Sequence, residues 1–491
     1  MALAYEPEAL GMAIRQSRDV IPHAVDVLCE LIEEVTGVMP NRAQVEYVSL
    51  FWLMHTADQV VYEQGAGDTT TKLIDIPGLA RGGLGDANSR SRIIAHVGSR
   101  DAAVRVADPY LKIAFREEAS SAFAVRRQMR WDANITPQKW SVAVNTVARE
   151  HVAERSAVKH RNDSSSANTS ELLLHALRTR IARSAPIALV EQFHDLSTWA
   201  TSTVDPTVRV WYTANAHQSS VAFRYRMHAQ RQHGTVVAIH QHGGGYGTDE
   251  HHLGEEHDIA ISDVFYTFGW NRPDCGSRVR ALATAMPRRS ADSSPHGYVL
   301  MSLPVTQHVY RFQAFLMPSH IVRAVEETVS FANALEAGVD VRVRSSGTDV
   351  FPMDRLHASR ARITQDDAAT GPIAASRAKL VIHNYVGTSW LETLAMNIPT
   401  VCFIPVGVHR FRAAAQPFAD ELMRVGILHY SGSDAAKFVN SFRGDPTSWW
   451  SSAEVQEARE HFVARYANFS HDWLPAWRTE FERLLDEGAS R

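Results

Sequence analysis

One segment limits what this chain can fold into more than any other: Lys379–Pro405, KLVIHNYVGTSWLETLAMNIPTVCFIP. Leu380-Val381-Ile382 reads as a buried strand, His383 to Gly387 as a polar turn, Thr388 onward as a helix, and Thr400–Ile404 as a second buried strand. That is one turn of a parallel α/β sheet, with glycine and hydroxyl groups at the strand-to-helix corner. Backbone N–H groups at a helix start carry partial positive charge and lack internal partners, so the corner formed by His383, Asn384, Gly387, Thr388 and Ser389 suits a phosphate or another anion. Glu392, one turn further, faces the same mouth and suits ribose hydroxyls. The same residues also make a plain turn, with Gly387 permitting the bend, Thr388 or Ser389 capping the helix and Glu392 solvated. Placement after a buried parallel strand favours a ligand, because α/β sheets bind at the carboxyl ends of their strands.

At 491 residues the chain exceeds one ordinary core, so two α/β domains are expected. A net charge of -4 gives no electrostatic reason to expect nucleic acid. Cys29, Cys275 and Cys402 are far apart and lack metal-ligand spacing, a reduced intracellular pattern. With Glu6, Glu8, Arg15, Arg18 and Asp19 in its first turns the N-terminus is not expected to be a signal peptide, and no run approaches the ~20 apolar residues of a membrane span. A cytoplasmic protein is expected, with peripheral contact at the inner face of a membrane left open.

Residues 6–64 read as helical, 65–100 as glycine-rich loops between short elements, and 161–170 (RNDSSSANTS) as a flexible tract. From Pro186 strands and helices alternate. The β-branched run Thr235–His240 reads as a buried strand and feeds Gln241-His242-Gly243-Gly244-Gly245-Tyr246-Gly247. Three consecutive glycines let backbone approach a ligand closely and free N–H groups to point at it. His242 sits where a general base belongs, with an unperturbed pKa near ~6.5 suited to removing a hydroxyl proton. A glycine turn with a backbone-bonded histidine is the plainer alternative. His240, His242, His251, His252 and His257 crowd eighteen residues, but not in a metal-binding spacing, so no metal is expected. A second unit begins near His296. In it Arg311 and Arg344 lie just beyond strand ends and suit a diphosphate, with Asp354 and Arg355 as weaker candidates. The expected domains are 1–295, 296–450 and a helical tail, 451–491.

Four segments, IHQHGGGYG (239–247), EEHDIAISDVFYTFGW (255–270), VFPMDRL (350–356) and HNYVGTSWLETLAMNIPTV (383–401), resemble the transferases of bacterial O-antigen and surface-polysaccharide gene clusters. NRAQVEYVSLFWLMHTADQVVYE (41–63) resembles that family's opening helices. More distantly the layout is similar to GT-B glycosyltransferases and CDP-glycerol glycerophosphotransferases. The resemblance implies two Rossmann-like domains facing across a cleft, with the donor nucleotide diphosphate held by the C-terminal one at Gly387, Thr388, Ser389 and Glu392. The N-terminal domain then holds the acceptor, a glycan or lipid-linked glycan. A catalytic His-Gly at a strand end matches His242-Gly243, although Gly244-Gly245-Tyr246 departs from the glycerophosphotransferase pattern. The expected activity is transfer of a sugar, or a related phospho-group, from a nucleotide-activated donor, with neither metal nor tightly bound cofactor. Its rivals are a nucleotide-sugar epimerase or hydrolase on the same fold, a non-catalytic nucleotide- or glycan-binding component, and, third, a metal hydrolase built on the histidine loop.

Overall fold

The computed structural model describes residues 7–65, 94–99, 102–106, 124–128, 169–214, 216–219, 221–287, 295–303, 318–344, 353–368 and 370–489. The glycine-rich stretch 66–93, most of the polar tract at 161–170, and Arg311 lie outside them.

Three helices open the chain, Pro7–Asp19, Ile21–Thr36 and Arg42–Gly65. A seven-stranded sheet follows, built from β1 (Ile94–Ser99), β2 (Ala102–Val106), β3 (Ala124–Gln128), β4 (Val208–Thr213), β5 (Val236–His240), β6 (Val264–Thr267) and β7 (Val279–Ala281), in the order β3-β1-β2-β4-β5-β6-β7. Neighbours from β2 to β7 are parallel, while β1 pairs antiparallel with β2 and β3. Strands β1 to β3 were not singled out from the sequence, which read 65–100 as loops between short elements.

Successive strand residues point to opposite faces. Trp211, Val237, Ile239 and Phe265 enter the core shared with the N-terminal helices, and Val210, Tyr212, Val236, Ala238, Val264 and Tyr266 enter a second core. The helix Trp473–Ala489 covers that second face. Trp477 packs on Tyr212 and Tyr266, with ring centroids 5.3 and 5.1 Å apart, and its indole N–H donates to the Ala283 carbonyl at 2.7 Å. The C-terminal segment is therefore divided between the two sheets. Helix Ala453–Tyr466 stays with the second, where Phe462 lies 4.8 Å from Trp390, and only Trp473–Ala489 returns to the first. Between these helices β15 (Phe469–Ser470) pairs with β8 (Thr284–Ala285).

The second sheet has six parallel strands, β9 (Tyr298–Met301), β10 (Asp340–Arg344), β11 (Arg362–Gln365), β12 (Leu380–His383), β13 (Thr400–Phe403) and β14 (Leu428–His429), in the order β11-β10-β9-β12-β13-β14. Counted from β9 this is 3-2-1-4-5-6, the doubly wound Rossmann order. The winding reverses between β9 and β12, and such sheets bind ligands in the crevice outside those two carboxyl ends. β12 runs directly into the turn His383–Gly387. The loop after β5 in the first sheet meets that same turn, so the two Rossmann-like domains face each other in the GT-B-like arrangement expected.

Candidate functional site

The helix Thr388–Ala395 starts at Gly387, whose backbone is extended (φ -159, ψ -168), and no side chain caps it. Both nearby hydroxyls are engaged elsewhere. Thr388 Oγ1 accepts from the Gly244 N–H at 2.9 Å, and the Ser389 hydroxyl lies 3.0 Å from that of Tyr385. The capping alternative open in the sequence is thereby removed, and the first turn keeps its positive end.

The glycines of the 241–247 loop serve a different purpose from the one their spacing suggests. A Cβ on Gly244 would fall 2.5 Å from the Gly387 carbonyl carbon and 2.7 Å from Thr388 N. One on Gly243 would meet Thr388 Oγ1 at 3.0 Å. Gly247, at φ 73, lies flat on the Trp270 indole. Close backbone approach is thus used to seat one domain on the other. Gln241 anchors the loop, its Oε1 accepting from Phe268 N (3.0 Å) and Trp270 Nε1 (2.9 Å) and its Nε2 donating to the Gly243 carbonyl at 2.8 Å.

Behind the corner, two of the expected residues are braces. His383 is fully buried, held neutral by burial that lowers it to about 3, with Nε2 3.0 Å from Thr393 Oγ1. Asn384 accepts from Leu303 N at 2.5 Å and donates to Thr328 Oγ1 at 2.9 Å, tying the end of β12 to the segment after β9. Arg344 is not directed into the corner: it donates to the Ala368 carbonyl at 2.6 Å and pairs with Asp366 at 3.4 Å. Arg355 makes an exposed two-pronged pair with Glu326 at 3.0 and 2.9 Å, a surface bridge of small energetic weight.

Glu392 is half-buried, and burial pushes its carboxyl from an ordinary 4.5 to about 7. Below 4.5 the group is neutral whether the chain is folded or not. Between about 4.5 and 7 the unfolded chain ionises while the folded carboxyl holds its proton, so rising pH increasingly destabilises the fold over that window and the loss levels off above 7. Glu392→Gln should therefore melt at the same temperature as the parent at pH 4 and be on the order of 1–3 kcal/mol more stable at pH 8, measured by thermal unfolding at both values. A parent-like melting point for the variant at pH 8 counts against a strained carboxyl.

His242 is half-buried at the end of the first sheet. Its Nδ1 lies 3.0 Å from the Tyr246 hydroxyl, which donates to Asp258 Oδ2 at 2.9 Å. Asp258 also receives His217 Nε2 at 2.7 Å, His257 Nδ1 at 3.0 Å and Gln218 Nε2 at 3.1 Å. Burial pushes this carboxyl up, but adjacent His217 and the hydrogen bonds from both histidines outweigh it and hold the group well below the usual carboxylate range. His217, Gln218 and Asp258 were not singled out from the sequence, where only an acidic-histidine run (EEHD) hinted at them. His217, His257 and Asp258 also have the spacing of metal ligands. Each histidine gives one ring nitrogen to Asp258, while His217 Nδ1 and His257 Nε2 are buried without a hydrogen-bond partner.

The domains are also fastened beside the loop. Arg412 grips Glu255 with two hydrogen bonds of 3.0 and 2.9 Å, donates to the Asp249 carbonyl at 3.0 Å, and lies over Trp270 at 5.7 Å. Backbone bonds join Glu250 N to Arg410 O and Arg412 N to Thr248 O, each 2.9 Å.

Two facing Rossmann-like sheets, with an uncapped helix start opposite a histidine loop, make this a two-domain α/β enzyme. The chain belongs to the LIC12162 family of transferases, whose model matches residues 98–481. No curated protein matches it. Among solved structures it is similar to CalG4, the calicheamicin glycosyltransferase (13% identity over 67% of this chain and 83% of that one, TM-score 0.35), and to the spinosyn forosaminyltransferase SpnP (12%, 60% and 79%, 0.33). Among the described residues no helix is long and apolar enough to cross a membrane.

Proposed function

We propose that this transferase moves a glycosyl group, or a related phospho-group, from a nucleoside-diphosphate donor to a hydroxyl of a bacterial surface glycan, free or lipid-linked. The observation that carries the reading is the meeting of His242's loop with the uncapped helix start at the Rossmann switch point. This arrangement supports a reading in which His242 accepts the proton and the helix start stabilises the anion across one junction.

In this reading the acceptor hydroxyl gives its proton to His242 while its oxygen bonds to the donor's reacting carbon. The bond from that carbon to the diphosphate breaks, and its electron pair leaves on the nucleotide. The backbone N–H groups of Thr388 and Ser389, with the helix dipole behind them, stabilise the growing negative charge, so no metal is required. Glu392 receives the ribose hydroxyls, and His383 and Asn384 hold the corner in shape. The polysaccharide pathway is inferred from the resemblance of the 239–270 and 383–401 blocks, and a cytoplasmic site at the inner membrane face follows from that pathway.

The test pairs nucleoside-diphosphate titration with turnover. His242→Ala should bind the diphosphate as the parent does and lose about 10²–10⁴ in kcat. Full turnover in that variant removes His242 as the base, and no binding of any nucleoside diphosphate by the parent removes the donor site.

A further inference from the structure

We propose that Asp258, acting through the Tyr246 hydroxyl, is a positioning relay that fixes His242 with its proton on Nδ1 and its lone pair on Nε2. What the relay does for turnover rests on His242 being the base, but the relay itself is argued from geometry alone.

Tyr246 is buried, and its hydroxyl stands among His242 Nδ1 (3.0 Å), Asp258 Oδ2 (2.9 Å) and Gln218 Nε2 (3.1 Å). A phenol has one proton to donate, and the Gln218 amide N–H can only donate to it. The proton therefore goes either to Asp258 or to His242. An ionised carboxylate is the stronger acceptor, and Asp258 is kept ionised by the donors around it. The phenol oxygen is left as acceptor for His242 Nδ1–H, and the tautomer of a histidine is set by the partner of its other nitrogen.

Three parts of the first domain combine here: the short helix Ala216–Ser219, the loop after β5, and the helix Leu253–Ile261. When His242 gains a proton at Nε2, its ring charge is met by a phenol already polarised toward a carboxylate. No direct His–Asp contact is needed. The other titratable groups around the relay are His240 on β5, buried and lowered to about 3, His252, whose ring lies 4.1 Å from Tyr246, and the pair His217 and His257. Burial lowers His252 and His257 to about 4, so above that range they bring no competing charge.

The probe is Tyr246→Phe. The ring keeps its place, and Gln218 Nε2 retains its 3.1 Å contacts with both Asp258 oxygens, so the fold is preserved. Imidazole ¹⁵N NMR of the full-length protein should show His242 protonated on Nδ1 in the parent and a mixture of tautomers in the variant. In steady-state kinetics kcat should fall about 10–100-fold with donor KM unchanged, and the acidic limb of the rate profile should move to lower pH, because the protonated ring has lost its support. Asp258→Asn should move both readouts the same way. A parent spectrum with the proton on Nε2, or a tautomer unaltered in Tyr246→Phe, overturns the relay. Unreduced turnover in His242→Ala overturns the base instead, and leaves the NMR result to decide the relay separately.

Discussion

Gly244→Ala is expected to lower turnover about a hundredfold while both domains stay folded. The new methyl carbon would stand 2.5 Å from the Gly387 carbonyl carbon and 2.7 Å from its Cα. Those are backbone atoms, with no rotamer to turn away. Ordinary contact begins near 3.4 Å, so the two loops must part by about 1 Å, and a misplacement of that size at a reacting centre costs around 10² in rate. The Gly244 N–H bond to Thr388 Oγ1 (2.9 Å) goes with it. Circular dichroism and tryptophan fluorescence should match the parent, since the clash lies between domains and not within either core. Parent-like turnover in Gly244→Ala would show that the junction can open without penalty.

Arg412→Ala should destabilise the protein by about 3–5 kcal/mol. Glu255 is 1% exposed, and apart from Arg412 it keeps Gly247 N (2.7 Å) and Arg272 at 3.3 Å. Removing the guanidinium takes away the two shorter charged contacts and leaves the buried carboxylate with the Gly247 N–H and the longer Arg272 pair alone. Arg412→Lys should restore little, because one ammonium cannot match a two-pronged grip. Arg412→Met combined with Glu255→Gln should lose less than Arg412→Ala alone, since no unpaired charge remains. Because the pair joins residues of different domains, denaturant unfolding of Arg412→Ala should also broaden or divide as the domains uncouple. A loss below about 1 kcal/mol would contradict the buried-pair argument.

These two residues mark the limit of what the sequence discloses. Apolar runs such as Leu380–Ile382 and Val236–Ile239 announce buried parallel strands because they lie within a few residues of their helices and turns. The corner after β12 was legible for the same reason. The stretch Gly387–Glu392 is a local pattern, and the structure keeps its helix start uncapped. The long-range pairings left no such trace. Arg412 and Glu255 are 157 positions apart, and nothing local distinguishes Arg412 from the many other arginines. Asp258 stood in plain sight within EEHD, but its partners His217 and Gln218 come from 41 and 40 positions earlier. The triple glycine was read as letting backbone approach a ligand, and what Gly244 approaches in the structure is Gly387. Arg344 looked free because Asp366, its partner, is brought alongside by parallel pairing of β10 with β11.

The return of the helix Trp473–Ala489 to the first sheet has a consequence for how the chain is made. One face of β4, β5 and β6 consists of Val210, Tyr212, Val236, Ala238, Val264 and Tyr266, and its cover is synthesised only after the whole second sheet. Until Trp477 and Phe481 emerge, the nascent first domain carries an open apolar wall. The second domain is thereby an insert within the first in folding order, and the older half of the polypeptide waits on the younger to be sealed.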